Sequence, residues 1–180
     1  MKGLTLAEVL IAMGISVVVG GLLLIIIVNS AGLYSQQSAK LTEGLSINEA
    51  TSKVRDSIKE SSAIEVSFLS GSTTYTSGAT QLVLKVSAID SSKNIIADNF
   101  DYFVFFQDGS KLRFKTFPNT LSSRLAQNQI FSTLLGSLDF KYLNSANPPV
   151  EVTPANATKV RISITLKQNT ATSEANLRND

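Results

Sequence analysis

The chain has 180 residues, 43% of them hydrophobic, and a formal net charge of +2. The length suggests one domain with an appendage, and the charge is too small to argue for a strongly anionic partner. Cysteine is absent, which excludes disulfides, thiolate metal sites and cysteine nucleophiles; histidine is absent too, which removes the commonest general base and transition-metal ligand.

The first predicted element is an apolar helix. No charged residue occurs from Val9 to Ala39, and Val9–Val28 is apolar or glycine except for Ser16. Twenty helical residues span about 30 Å, the thickness of a bilayer core. A cleaved secretory signal is one reading, with a small-residue site near Ser30-Ala31, although such signals usually have an apolar core of only about 7–15 residues. A plain single-pass anchor is a second, with Lys2 favouring a cytoplasmic N-terminus. Neither explains Glu8, a carboxylate at the edge of a membrane-length segment. On insertion scales a charge inside a membrane helix costs about 2.5–3.5 kcal/mol, and less near the interface.

The stretch "KGLTLAEVLIAM" resembles the N-terminus of type IV prepilins and pseudopilins, the family of type IV pili and of type II secretion and competence pseudopili. In that family a short leader ends in glycine, a dedicated peptidase cuts after it on the cytoplasmic face and methylates the new N-terminus, and the fifth mature residue is glutamate. The resemblance places the last leader residue at Gly3, the mature N-terminus at Leu4 and the glutamate at Glu8. It implies that Glu8 of one subunit neutralises the free amine of a neighbour during assembly. The simpler reading of Glu8 is an interfacial carboxylate among lipid headgroups. Ala12, Ser16 and Gly20 follow Glu8 at four-residue spacing, a small-residue row that lets membrane helices approach closely. Ordinary membrane-helix composition would give the same row.

Beyond Asn29 the pattern stays helical, with Tyr34, Leu41, Leu45, Val54 and Ile58 forming a stripe and Ile47 off it. Lys53, Arg55, Asp56, Lys59 and Glu60 fall on exposed positions. The reading is one helix from Leu4 to Ser62, about 85–90 Å long, with Gly20-Gly21 or Gly32 as the place for a bend. Its first half, residues 4–28, lies in the membrane. Its second half, residues 29–62, packs on a head formed by residues 63–180, behind a leader of residues 1–3.

The head reads as an antiparallel sheet. "QLVLKVSAI" puts Leu82, Leu84, Val86 and Ala88 on one face, with Val83 and Ile89 misplaced on the polar face. "FDYFVFFQDGSKLRFKTF" is a hairpin around Asp108-Gly109, in which Phe103 and Phe105 break the alternation and leave room for a second small layer or a partner. "SLDFKYL" alternates Leu138, Phe140 and Tyr142 with Asp139 and Lys141, and "KVRISITLK" alternates Val160, Ile162, Ile164 and Leu166 with polar residues. Residues 70–80 and 144–158 read as loops. The expected fold class is α+β: a long N-terminal helix, transmembrane in its first half, covering an antiparallel sheet in a two-layer, pilin-like head.

The ending "TATSEANLRND" is similar to the "LRN" ending of J-type minor pseudopilins and related minor pilins, where it follows a strand like "KVRISITL". Many major pilins have a proline within the membrane helix and a C-terminal disulfide loop. This chain has neither, which favours a minor subunit, and Glu8 argues against the tip-most position.

Other chemistry is sparse. Lys111, Arg113 and Lys115 share a strand face that could meet DNA phosphate, but a solvated sheet face is the simpler reading and nucleic acid is disfavoured. Asp98, Asp101 and Asp108 lack the spacing of a calcium loop, and no catalytic constellation, cofactor site or metal site is expected. The resemblance therefore implies a non-enzymatic filament subunit of a pilus or pseudopilus. The partners it implies are the prepilin peptidase, other subunits and an inner-membrane assembly platform, beside the lipid bilayer that the apolar helix itself calls for. The expected location is the inner membrane, N-terminus inside and head outside, and then an extracytoplasmic filament. The alternative is a single-pass, membrane-anchored extracellular binding domain. An exported enzyme would need a base that the chain does not visibly supply.

Overall fold

A computed structural model describes residues 5–178, apart from the side chains of residues 35–37 and 39–43. The chain divides into two compact units, Met1–Thr42 and Glu43–Asp180.

The first unit is built on α1 (Leu6–Glu43). Residues Leu6–Tyr34 are long and apolar enough to span a membrane, with a mean hydropathy of 2.9. Every described side chain of α1 is exposed, and the large apolar ones point in all directions, from Leu6 to Tyr34. A helix apolar all round cannot keep those faces in water; it belongs in lipid or among other helices.

The expected single helix to Ser62 is corrected: it stops at Glu43, and a second helix, α2 (Ile47–Glu60), starts anew. Neither Gly20-Gly21 nor Gly32 interrupts α1. The break is at Gly44, whose φ is +90°, a region that L side chains avoid. A Cβ there would overlap the Phe131 carbonyl oxygen and lie 2.9 Å from the Ser132 Cα. Gly44 forms an antiparallel bridge with Ser132, and the Leu45 amide donates to Phe131 O at 2.6 Å. Ser46 then restarts the helix through a capping box: the Ser46 amide donates to Glu49 Oε2 at 3.0 Å and the Glu49 amide to Ser46 Oγ at 3.4 Å. Ala50, Thr51, Val54 and Ile58 form the buried stripe, with Leu45 and Ile47 packed at its edge.

The rest of the second unit is antiparallel β structure. A five-stranded sheet has the order β1 (Ala63–Ile64), β4 (Gln81–Ile89), β5 (Ile95–Asp108), β6 (Lys111–Phe117), β7 (Gln127–Ser132). A three-stranded sheet has the order β10 (Asn169–Asn176), β9 (Lys159–Leu166), β8 (Leu135–Leu143). A hairpin of β2 (Ser67–Ser70) and β3 (Thr73–Thr76) stands apart. The α+β class is as expected, but the single sheet is divided. Residues 70–80, expected as a loop, hold most of that hairpin, whereas 144–158 carry a short 3-10 turn at Pro154–Asn156 and a single bridge from Glu151 to Leu143 but no strand.

One core joins both sheets and α2. Leu82, Leu84, Phe103, Phe105 and Phe114 from the larger sheet meet Phe140, Val160, Ile162 and Ile164 from the smaller, under Val54 and Ile58. Phe105 and Phe114 stack at 4.7 Å between centroids. Phe103 and Phe105 therefore face the main core, paired with Leu84 and Leu82. The small second layer exists, but it takes the alternate residues: Val83 and Val104 are covered by Tyr75 and Phe68 of the hairpin, beside Tyr102, Phe106 and Phe117. The hairpin thus keeps Val83 dry on the otherwise polar face of β4.

Candidate functional site

The sequence-predicted site begins at residues that lie outside the description, Gly3 and Leu4. From Thr5 onward the geometry is defined. The Thr5 amide and hydroxyl both donate to Glu8 Oε2, at 2.8 and 2.9 Å, and the Glu8 amide donates to Thr5 Oγ1 at 3.4 Å. This is a capping box of the T-x-x-E form. It satisfies amides that would otherwise be orphaned at the start of an apolar helix. The sequence reading missed this role, although Thr5 three residues before Glu8 signals it. Both Thr5 donors go to Oε2, and among the described residues Glu8 Oε1 accepts no bond.

The small-residue row runs on from Glu8. Ser16 Oγ donates to the Ala12 carbonyl at 2.8 Å, so its hydroxyl is satisfied inside the helix. A side chain added at Gly20 would meet nothing within 4 Å. Glu8, Ala12 and Ser16, with Val9, Met13 and Val17, line one shallow groove on α1. The structure thus brings the first three of the four positions onto one groove; Gly20 is not among the groove's residues.

In the second unit the three carboxylates grouped by sequence part company. Asp98 is exposed, with φ +57°. Asp108 pairs with Arg113 Nε at 2.6 Å on the basic face. Asp101 is fully buried and accepts the Asn119 amide at 2.7 Å, the Ser122 hydroxyl at 2.8 Å and Arg124 Nη1 at 2.7 Å. Arg124 also donates from Nη1 to Ser87 O at 2.6 Å and from Nη2 to Glu60. This cluster ties the β6–β7 loop to β4, β5 and the end of α2. No local sequence pattern announces it, because Glu60, Asp101 and Arg124 are far apart in the chain. Among the described residues no group of three or more His, Cys, Asp or Glu is placed to hold a metal ion.

No family model matches the chain, and no curated protein matches it in sequence.

Proposed function

We propose that this chain is a prepilin-like filament subunit, cut after Gly3, methylated on Leu4 and drawn from the membrane into a helical filament. The observation that carries the reading is the "KGLTLAE" motif directly ahead of a membrane-length helix whose described side chains are all exposed. In a filament the α1 helices would bury those side chains against one another, and the heads would form the surface. Glu8 Oε1, which accepts no bond among the described residues, suits a bond to a neighbour's Leu4 amine, and the groove along Ala12 and Ser16 suits close helix contact. The absent membrane-helix proline and disulfide loop favour a minor or initiating subunit of a pilus or of a secretion or competence pseudopilus. The partners are then the prepilin peptidase, the other subunits and the inner-membrane assembly platform.

The capping box supports a second reading, a membrane-anchored extracellular binding domain, because it gives Glu8 a role within its own helix. Glu8→Gln separates the two. Glutamine at this position can still cap the helix but cannot neutralise an amine. The filament reading predicts normal cleavage and markedly reduced incorporation into filaments. Normal incorporation of Glu8→Gln would favour the capped anchor.

A further inference from the structure

The larger sheet ends on β7, and this edge is open. Residues 127–130 are all exposed. Among the described residues their backbone has no partner beyond the ladder to β6. The edge is closed only past Ile130, where the Leu45 amide donates to Phe131 O and Gly44 bridges Ser132. On the inner face a groove of about 430 Å³ borders the strand, with Gln127 and Gln129 on one side and Lys53 and Ser57 of α2 on the other.

An unpaired edge usually carries a guard: a charge, a proline, shortness or a cover. β1 has two residues, β10 carries Glu174 paired with Arg161, and β8 donates from Leu135 and Phe140 to Ser110 O and Ala79 O. β7 reads "QNQIFS", without charge or proline. Its side chains are also self-complementary. Gln127 and Gln129 share the inner face, where Gln129 Nε2 donates to Gln127 Oε1 at 3.3 Å. The Gln127 amide nitrogen is then an unused donor and the Gln129 amide oxygen an unused acceptor among the described residues. Exchanging the roles of the two amides leaves the same complement. Asn128 and Ile130 lie on the outer face, opposite Lys115 and Arg113 of β6.

We propose that β7 pairs with β7 of a second copy, antiparallel, about a two-fold axis at Asn128. The register follows from the free stretch: residues 126–130 are exposed and Phe131 O is taken, so the centre falls at Asn128. Gln127 then stands opposite the partner's Gln129 on both sides of the axis, and each unused amide donor meets an unused acceptor. Asn128 stands opposite the partner's Asn128, and an amide both donates and accepts. Ile130, 43% exposed, covers the partner's Ala126. No like charges oppose one another along the pair. The contact is isologous, so it closes on itself as a dimer and does not propagate. Five residues a side make it small and reversible. It is open to an anchored domain and to an unassembled filament subunit alike.

The chain has no cysteine, so introduced cysteines report the pairing without background. The test is oxidative cross-linking of the full chain in detergent, at well under one chain per micelle so that α1 does not gather the chains. Directly opposed residues have Cα atoms about 4.5–5.5 Å apart, within disulfide reach. The two copies of residue 130 are offset by four positions, about 14 Å, and are out of reach. Asn128→Cys should cross-link to a dimer. Ala126→Cys and Ile130→Cys should each stay monomeric alone and cross-link when mixed. Adding Asn128→Lys to both chains of that mixture sets two lysines face to face and should abolish the product. The substituted positions are exposed, and circular dichroism verifies that the fold is kept. Dimer formation by Ile130→Cys alone, or a mixed product that survives Asn128→Lys, overturns the proposal. So does Asn128→Cys that stays monomeric, which would leave the edge to a foreign strand.

Discussion

The Asp101 carboxylate, fully buried, accepts a 2.7 Å bond from Arg124, whose side chain is 15% exposed. A carboxylate in that position persists only because all of its bonds are made. Arg124→Ala removes the countercharge and leaves the carboxylate behind. It should cost about 3–5 kcal/mol in urea titration. Glu60→Gln, at the half-exposed end of the same network, should cost no more than about 1 kcal/mol. Equal losses for the two would mean that the network is not anchored on Asp101.

Gly44 is the residue that separates α1 from α2. Alanine there adopts a left-handed backbone at a cost of about 1–2 kcal/mol and also collides with β7. Gly44→Ala should therefore destabilise the second unit by more than Ser46→Ala, which loses only the helix cap at about 1 kcal/mol. A Gly44→Ala variant as stable as the parent would contradict the close approach of Gly44 to Phe131 and Ser132.

Tyr142 supplies an alkaline signature. Its single O–H proton lies between two carbonyl acceptors, Gly78 O at 2.9 Å and Gln81 O at 3.1 Å, and burial raises its pKa above the ordinary 10.0. The folded state thus holds the proton more tightly than the unfolded state. The resulting stability is present below the ordinary value and is lost as pH rises beyond it. Tyr142→Phe should cost about 1 kcal/mol at neutral pH and flatten the alkaline limb of a stability profile. An unchanged limb contradicts the assignment.

Glu174 gives the acid counterpart. The Arg161 hydrogen bond at 2.7 Å, helped by the charges of Arg161 and Lys159, lowers its pKa below the ordinary 4.5. Its contribution is present above that value and lost as pH falls through the lowered one. Arg161→Gln should shallow the acid limb where β10 meets β9. Because the pair is partly exposed, the effect should also shrink with added salt.

The contrast between β9 and β10 shows what the sequence could reveal. Val160, Ile162, Ile164 and Leu166 alternate without a fault, and β9 is found where that pattern lies. β10 reads "NTATSEAN", with only Ala175 buried. It is held by backbone pairing and by rungs such as Thr165–Thr170 and Arg161–Glu174. Such a strand borrows its regularity from its neighbour. The polar edge strand β7 and the Ser/Thr-rich β2–β3 hairpin escaped notice for the same reason. At the helix break the signal was present: Gly44 followed by "SINE" is a stop and a capping box. An unbroken apolar stripe on either side outweighed it. Thr5 and Glu8 repeat that lesson at the candidate site, where a local cap sits inside a motif of wider meaning.

The central claim is that Glu8 stands at the fifth position of a processed filament subunit. The most direct test is the N-terminal mass of the protein isolated from its native membrane. The account predicts a chain that begins at N-methylated Leu4. An intact Met1, or a start near Ala31, would contradict it.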